Sequence, residues 1–269
     1  MDNRPLLFID SGLGSFPYGN FFHSRNRGEK LICIGDRANF PYGIKSREAV
    51  IAILDALTGK YVSMYDPKLL ALVCNTASVT SLDFLRQKYP ALPIVGTVPA
   101  IKPAVLTSKT RRIGVIATAR TVEDPYNREL VSRYGPGCEI VGIAATELVD
   151  FVQLHYGSST PADRLNVVRP YVERFRAAGA DAVVLACTHF LLLEKEFRAA
   201  AGEDIRVYDS MEGVSRRIES ILDKDGGRLR AGTNSGESAP LVVVTGEDKL
   251  EPYWEQLSLR FGFTLEQNR

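Results

Sequence analysis

The chain has 269 residues and nearly balanced charge, with 33 Lys and Arg against 32 Asp and Glu. This length suits one large or two ordinary domains, and the balanced charge gives no electrostatic reason to expect nucleic acid or a membrane as partner. Hydrophobic residues make up 45% and charged residues 24%, a composition that excludes a disordered, collagen-like or coiled-coil chain.

The N-terminus and the cysteines indicate the compartment. The first residues, MDNRPLLFID, lack the apolar segment of a signal peptide, and no apolar run is long enough to span a bilayer. The four cysteines are too sparse for a disulfide scaffold, and no two of them have CxxC spacing. We therefore expect a cytoplasmic protein with free thiols.

Short apolar runs alternate with segments of helical length along the chain. In the first half they predict strands at Leu6–Ile9, Leu31–Ile34, Leu70–Val73 and Ile94–Val95. In the second half they predict strands at Ile113–Ala117, Glu139–Ile143, Ala182–Ala186 and Ile205–Tyr208. This alternation indicates an α/β protein with mainly parallel sheets.

The two sets of strands resemble each other. In each set the first strand ends in a polar turn and the third ends in a cysteine, with 64 residues from Asp10 to Cys74 and 69 from Thr118 to Cys187. We interpret this as an internal duplication, although any two α/β halves share some of this pattern. It predicts two similar α/β domains, residues 1–99 with 210–269 and residues 100–209, with the active site in the cleft between them.

The segments outside the repeat also have distinct patterns. Pro99–Pro103 suits a hinge or a crossing between domains. Met211–Lys224 is predicted as a helix, and residues 225–240 as a loop because they contain almost no apolar side chain. Leu241–Val244 is predicted as a strand and Trp254–Phe261 as an amphipathic helix, a tail expected to return to the first domain.

Cys74 and Cys187 are the strongest candidates for chemistry. Each follows a buried strand and precedes small polar residues, at the end of a parallel strand where ligands bind in open α/β sheets. The start of the next helix is expected to lower the thiol pKa toward neutrality. A buried free cysteine is common as packing, and we assign that role to Cys33 and to Cys138.

Two opposed thiols suit one reaction type in particular. One thiolate removes a proton from a carbon and the other thiol delivers a proton to the opposite face, which inverts the centre. The sequence has no dinucleotide fingerprint, Walker loop or metal-spaced His cluster, so we expect no cofactor and no metal. Hydroxyl and amide side chains suited to holding a substrate carboxylate are Asn75, Thr76, Thr118, Thr121 and Thr188.

Several segments together carry a family resemblance. They are Asp10-Ser-Gly12, Gly35-Asp36, Pro41-Tyr-Gly43 with Lys45-Ser46, Cys74-Asn-Thr76, Gly114–Thr118 with Thr121-Val122, and Cys187-Thr-His189. The chain resembles glutamate racemase from Leu6 to about Arg217, and the strand Leu241–Gly246 also fits. In aspartate racemase-like relatives the second thiol is typically followed by Thr-Glu, so Thr188-His189 favours the glutamate branch.

The resemblance implies cofactor-independent interconversion of L- and D-glutamate, supplying D-glutamate for peptidoglycan, by a homodimer. It implies that Cys74 takes the α-proton from D-glutamate and Cys187 takes it from L-glutamate, with Asp10 supporting the first thiol and His189 the second. The positions that match substrate-holding residues are Asp10, Ser11, Tyr42, Gly43, Asn75, Thr76, Thr118, Thr121, Thr188 and His189.

The same residues also have ordinary structural interpretations. Asp-Ser-Gly and Pro-Tyr-Gly are common turn sequences, and His189 without its neighbouring thiol would read equally well as a structural histidine. His23 and His155 belong to no recognisable motif and are interpreted as structural. The functional interpretation therefore depends on the ordered set of motifs.

The chain departs from the family pattern in three places. The stretch Gly14–Gly19 replaces a Gly-Gly step, Leu191 replaces a proline after the Thr-His-aromatic motif, and Gln153 stands where a glutamate is usual. If that glutamate assists proton transfer in relatives, its task here is absent or has moved to Glu147.

Two alternative functions stay open at this stage. One is racemisation of a related substrate such as aspartate or a hydantoin-type compound. The other is a binding or regulatory protein that kept the fold and lost turnover, because fold alone does not prove activity.

Overall fold

The computed structural model describes residues 2–224, 227 and 239–268. The chain forms two compact units, one of Met1–Thr97 with Met211–Arg269 and the other of Val98–Ser210. No helix in the described part of the chain is both long enough and apolar enough to cross a membrane.

The first unit is built on a six-stranded parallel sheet. Its strands are β1 (Leu6–Asp10), β2 (Leu31–Gly35), β3 (Leu69–Leu72), β4 (Ile94–Gly96), β9 (Leu241–Thr245) and β10 (Thr264–Asn268), in the order β10-β9-β2-β1-β3-β4. Its helices are α1 (Ser15–Arg25), α2 (Arg47–Tyr65), α3 (Asn75–Lys88), α10 (Met211–Lys224) and α11 (Pro252–Phe261). Two 3-10 turns, Arg37–Asn39 and Tyr42–Ile44, follow β2.

The second unit is built on a four-stranded parallel sheet. Its strands are β5 (Arg112–Ala117), β6 (Glu139–Ala144), β7 (Ala182–Leu185) and β8 (Arg206–Tyr208), in the order β6-β5-β7-β8. Its helices are α4 (Ile101–Thr107), α5 (Ala119–Glu123), α6 (Pro125–Tyr134), α7 (Thr146–His155), α8 (Pro161–Ala177) and α9 (Glu194–Ala201). A 3-10 turn, Thr188–Leu193, leads from β7 toward α9.

The two sheets repeat one strand order. In each unit the second strand lies on one side of the first strand, and the third and fourth strands lie on the other side. The direction of winding therefore reverses between β1 and β3 in the first unit and between β5 and β7 in the second. Such reversal points are where ligands bind in open parallel sheets, at the carboxyl ends of the strands. The predicted fold of two similar parallel α/β units is confirmed.

All eight strands predicted for the two halves are confirmed within a residue or so at each end, as is the helix Met211–Lys224. The proline-bracketed stretch at Pro99 runs into α4, which accommodates Pro103 in its first turn because N–H groups there have no partner within the helix. The predicted loop at 225–240 lies outside the described residues except for positions 227, 239 and 240.

The C-terminal tail belongs to the sheet of the first unit. β9 pairs in parallel with β2, and β10 extends the sheet beyond it. α11 buries Trp254, which packs closely against Gly35 at the end of β2: a Cβ at Gly35 would lie 2.8 Å from the Trp254 ring. The absence of a side chain at Gly35 thus lets α11 approach the strand that leads to Asp36.

Candidate active site

Cys74 lies where β3 gives way to α3, at the reversal point of the first sheet. Its backbone is extended, with φ −118° and ψ 124°, and α3 begins at the next residue. The residue is buried, and the thiol donates a hydrogen bond to Ser11 Oγ, 3.8 Å away, in the loop that follows β1. The two strands on either side of the reversal point therefore bring Cys74 and Ser11 together.

The expectation that the helix start lowers the thiol pKa is wrong for Cys74. Burial, and secondarily the negative charge of Asp10, raise its pKa from 9.0 to about 12. Hydrogen bonds from the backbone of Ala77 and Ser11 oppose this shift but are outweighed. In this structure Cys74 is therefore a neutral thiol at physiological pH, and its thiolate would be a strong base.

Asp10, the last residue of β1, shapes the loop around Ser11. It is fully buried, and its Oδ1 accepts hydrogen bonds from the N–H groups of Gly12 (2.8 Å) and Gly14 (3.0 Å). This turn fixes the loop with one carboxylate oxygen while the charge of the group acts on Cys74. Asp10 thus has a structural and an electrostatic effect in the same unit.

A buried carboxylate that the sequence reasoning did not single out as a site residue lies beside Tyr42. Asp36 accepts hydrogen bonds from Tyr42 Oη (2.6 Å), from Thr245 Oγ1 of the tail (2.7 Å) and from the Asn39 amide (3.0 Å). Burial, and next the charge of Asp36, raise the Tyr42 pKa well above its usual value. Since its hydroxyl binds Asp36, Tyr42 can meet a ligand more readily through its backbone N–H, near the start of a 3-10 turn. The signal in the sequence was an aspartate directly after a buried strand.

Asn75 and Thr76 open α3 and are both buried. Asn75 Oδ1 is a buried acceptor that has no hydrogen-bond partner among the described residues. A buried polar atom without a partner costs about 1–3 kcal/mol, so it is suited to meeting a donor on a ligand. Two members of the predicted polar set, Asn75 and Thr76, thus lie together at the amino end of α3.

Cys187 occupies the corresponding place in the second unit. Its backbone is extended, with φ −139° and ψ 134°, its exposed fraction is 7%, and it precedes the 3-10 turn that begins at Thr188. Thr188 and His189 are both buried in this turn, as is Leu191. Leu191, which stands where the family pattern has a proline, is therefore packed in the hydrophobic core.

Thr118 and Thr121 lie at the end of β5, on the other side of the reversal point. Thr118 Oγ1 donates a hydrogen bond to Thr121 Oγ1 at 3.2 Å, and Thr121 is buried. The amide of Asn127 donates to the Thr121 carbonyl and anchors this short helical segment. The two hydroxyls therefore form one polar group, as the sequence grouping implies.

His189 pairs with Gln153 on α7. The distance between His189 Nε2 and Gln153 Oε1 is 3.1 Å, and both side chains are buried. Burial lowers the His189 pKa from 6.5 to about 4, so the ring is neutral at physiological pH. Glu147, which the sequence analysis considered as a substitute for the glutamate of relatives, is exposed. The neutral amide of Gln153 is thus the group placed against the imidazole.

Backbone hydrogen bonds show that the two thiols are equivalent positions. The Val73 N–H donates to the Ile9 carbonyl and the Ala186 N–H donates to the Ile116 carbonyl, each at 2.9 Å. Each thiol follows the donor of this bond by one residue, beside the first strand of its own unit. The equivalence of Cys74 and Cys187 is therefore one of position in the sheet as well as of sequence spacing.

The same register shows where the two halves differ. The Asp36 N–H donates to the Asp10 carbonyl, and the Ala145 N–H donates to the Ala117 carbonyl, each at 2.9 Å. The two aspartates of the first unit are thus matched by two alanines in the second. The charge of Asp10 acts on Cys74, whereas the segment that follows Cys187 carries an imidazole paired with an amide.

The residues that the sequence analysis interprets as structural differ in burial. Cys33 is fully buried within β2 and Cys138 is half-buried before β6. His23 is half-buried on α1, and His155 is exposed at the end of α7. Across residues 2–224, 227 and 239–268, no group of three or more His, Cys, Asp or Glu side chains is placed to hold a metal ion.

The family described as Asp/Glu/Hydantoin racemase matches residues 23–215, which is most of the chain. The chain belongs to this family of racemases.

The relatives with which the chain can be compared in detail are glutamate racemases. A glutamate racemase of Treponema pallidum is 38% identical over 210 residues, 78% of each chain, and one of Roseiflexus sp. is 34% identical over 244 residues, 91% of this chain and 88% of the relative. The crystal structure of Escherichia coli glutamate racemase in complex with L-glutamate and the activator UDP-MurNAc-Ala matches with a TM-score of 0.83. That match has 30% identity and covers 98% of each chain.

Proposed function

We propose that this protein interconverts L- and D-glutamate by direct proton transfer, with Cys74 and Cys187 as the acid and base. The observation that carries the proposal is the equivalence of the two thiols: each lies at the reversal point of one of two like sheets, one residue beyond the same backbone hydrogen bond. The naming of relatives at 34–38% identity as glutamate racemases supports the choice of substrate.

The reaction is balanced by the two thiols alone. With D-glutamate bound, the Cys74 thiolate takes the α-proton and becomes a thiol, while the Cys187 thiol gives its proton to the opposite face and becomes a thiolate. With L-glutamate the two exchange roles. Because one proton is taken and one is given, the substrate is neither oxidised nor reduced, and no electron carrier is needed. The mechanism requires that both thiols reach the same α-carbon.

The raised pKa of Cys74 bears on how the base is generated. Converting a thiol of pKa about 12 to its thiolate at pH 7 costs about 7 kcal/mol. The same high pKa makes the thiolate a strong base, which suits the weakly acidic α-carbon. The substrate's ammonium group, placed beside the thiolate and Asp10, is the charge that would offset this cost.

The polar groups at the strand ends are suited to holding the two carboxylates of glutamate. The first N–H groups of α3 and of the 3-10 turns at Tyr42 and Thr188 have no partner within their own helices. Side chains that add hydroxyl or amide groups are Ser11, Asn75, Thr76, Thr118, Thr121 and Thr188. In this proposal Gly43 contributes its N–H beside that of Tyr42.

The test is incubation of the purified protein with L-glutamate in heavy water without added cofactor, followed by NMR of the α-proton and chiral analysis. We expect solvent deuterium at the α-carbon and appearance of the D-isomer. Aspartate and a hydantoin in parallel reactions measure specificity. Absence of both exchange and D-glutamate would refute the proposed reaction.

Cysteine variants test the assignment of the two thiols. Cys74→Ser and Cys187→Ser should each lower kcat about 10²- to 10⁴-fold, the usual contribution of an acid-base group. Cys138→Ser is the matched control, because that thiol lies outside the site and is half-buried. Near-normal turnover in either site variant would show that the two-thiol mechanism is wrong.

The proposal extends to the cellular role and assembly that the resemblance implies. D-glutamate formed in the cytoplasm would feed peptidoglycan synthesis, and the active form would be a homodimer. Deletion of the gene should then make growth depend on added D-glutamate. One chain has a mass of 29.7 kDa, and light scattering coupled to gel filtration should give twice this mass.

A further inference from the structure

Gln153 and His189 form a buried polar pair in the second unit. Their exposed fractions are 4% and 2%, and Gln153 Oε1 lies 3.1 Å from His189 Nε2. A buried amide and a buried imidazole each lose hydrogen bonds to water on folding, so their pairing compensates both groups.

The fold connects this pair to the segment that begins at Cys187. α7 follows β6, and its buried face consists of Leu148, Val149, Val152 and Gln153. This helix packs against the 3-10 turn that contains His189, which follows Cys187 by two residues. The orientation of the imidazole is therefore set within the segment that carries the thiol.

The chemistry of the contact determines which ring nitrogen carries hydrogen. An amide oxygen only accepts hydrogen bonds, so His189 Nε2 must be the donor and must carry its hydrogen. In a neutral imidazole the other nitrogen, Nδ1, then has the lone pair. Burial keeps the ring neutral, since the pKa of His189 is lowered to about 4.

We propose that Gln153 is a positioning residue: its side-chain carbonyl holds His189 in the neutral form with hydrogen on Nε2, and so makes Nδ1 the nitrogen that accepts a proton on the Cys187 side of the reaction. The second part rests on the proposed racemase function, while the first part concerns the protein alone. The equivalent thiol of the first unit is subject to the charge of the buried Asp10 carboxylate, so this arrangement is specific to the second half.

The state of His189 is measured directly by ¹⁵N NMR of imidazole-labelled protein, assigned with His189→Asn. We expect the wild type to show neutral His189 with hydrogen on Nε2. A wild-type spectrum with hydrogen on Nδ1 would overturn the proposal, whether or not the protein racemises glutamate. Failure of the racemase assay with the Nε2 form present would instead refute only the proposed function.

Two substitutions test the consequence for turnover. Gln153→Met keeps the volume of the side chain and removes the acceptor, and should lower kcat about 10- to 100-fold, the scale found for partners that orient imidazoles elsewhere. We expect KM to change little, and His189 to show a mixture of the two neutral forms. Gln153→Glu keeps an acceptor at the same reach, and should keep the hydrogen on Nε2 and recover at least tenfold of the lost kcat.

Gln87→Met is the matched control, since it makes the same substitution at an exposed position of α3. It should leave both the spectrum and kcat unchanged. If Gln153→Met retained the pure Nε2 form and normal kcat, or if Gln153→Glu turned over no faster than Gln153→Met, Gln153 would not position the ring. Should Gln153→Met fail to fold, the wild-type spectrum and Gln153→Glu decide the question.

Discussion

Replacing Asp10 by asparagine separates the two effects of this carboxylate. Oδ1 accepts the hydrogen bonds from Gly12 and Gly14, and an asparagine oxygen can accept both bonds. The loop that carries Ser11 should therefore keep its shape. The negative charge, which disfavours the Cys74 thiolate, is removed.

The size of the pKa change follows from the causes of the shift. Burial is the larger cause that raises the Cys74 pKa, and Asp10 is the second. The Asp10→Asn variant should therefore have a Cys74 pKa above the ordinary 9.0 and below about 12. We expect a fall of about one unit, which corresponds to about 1.4 kcal/mol.

Turnover then distinguishes a charge effect from a proton-transfer role. If Asp10 acted by charge alone, more thiolate of lower basicity would form, and the rate would rise about threefold for a Brønsted coefficient near 0.5. If Asp10 exchanges protons with Cys74 or the substrate, as the resemblance implies, kcat should fall about 10²-fold or more. We expect the fall.

The assay combines thiolate absorbance in the ultraviolet with steady-state kinetics. Titration from about pH 9 to 12 isolates the Cys74 signal as a difference between Asp10→Asn and the double variant Asp10→Asn/Cys74→Ser, and the difference between wild type and Cys74→Ser gives the reference. An unchanged or higher pKa would refute the electrostatic reasoning. A threefold rise in kcat would refute the acid-base role of Asp10 while leaving the pKa argument intact.

Three further predictions concern stability. The pKa of His189 is about 4 in the folded protein and 6.5 in the unfolded chain, so between these pH values only the unfolded chain gains a proton. On going from pH 7 to 4, the free energy of unfolding of the wild type should therefore fall by about 3 kcal/mol more than that of His189→Asn, as measured by urea unfolding. The raised pKa of Cys74 destabilises the fold at high pH instead, because above pH 9 the thiol ionises first in the unfolded chain. The free energy of unfolding of the wild type should then fall by up to about 1.4 kcal/mol per pH unit relative to Cys74→Ser. Gly35→Ala should destabilise the protein by about 1–3 kcal/mol because the added Cβ clashes with Trp254. Gly213→Ala should stabilise it by about 0.5–1 kcal/mol, because a Cβ at this helical position meets nothing within 4 Å. Equal effects of the two substitutions on denaturant unfolding would contradict the packing argument.

The strands were predictable because they are buried on both faces and appear as unbroken apolar runs, such as Leu69–Leu72 and Ala182–Leu185. β10 was not predicted. Its sequence, TLEQN, has no such run, and the strand exists because β9 provides a free edge for pairing. Long-range pairing of this kind leaves little trace in local composition.

The position of the candidate residues at the strand ends was predictable from the sequence, and their electrostatics were less so. The spacing of Cys74 and Cys187 pointed to equivalent strand ends, which the backbone register supports. The direction of the Cys74 pKa shift was predicted wrongly, because the sequence shows the helix start but not the depth of burial. The contact of Gln153 with His189 depends on how α7 packs against a turn 36 residues away, which no local pattern encodes.

The unlike surroundings of the two thiols can affect the rates of individual steps but not the balance between the enantiomers. L- and D-glutamate have equal free energies in solution, so kcat/KM must be the same in both directions for every variant of a racemase. Removing the amide of Gln153 or the charge of Asp10 must therefore lower or raise both kcat/KM values together, although each group lies in a different unit. The two directions can differ only in kcat, in KM and in the isotope effect. In the proposed mechanism these quantities depend on how stable each thiolate is with its own enantiomer bound. Under the proposed mechanism, the Asp10 carboxylate beside Cys74 and the neutral imidazole in the Cys187 segment are thus two different solutions to one requirement: each thiol must both lose and regain a proton over a complete cycle.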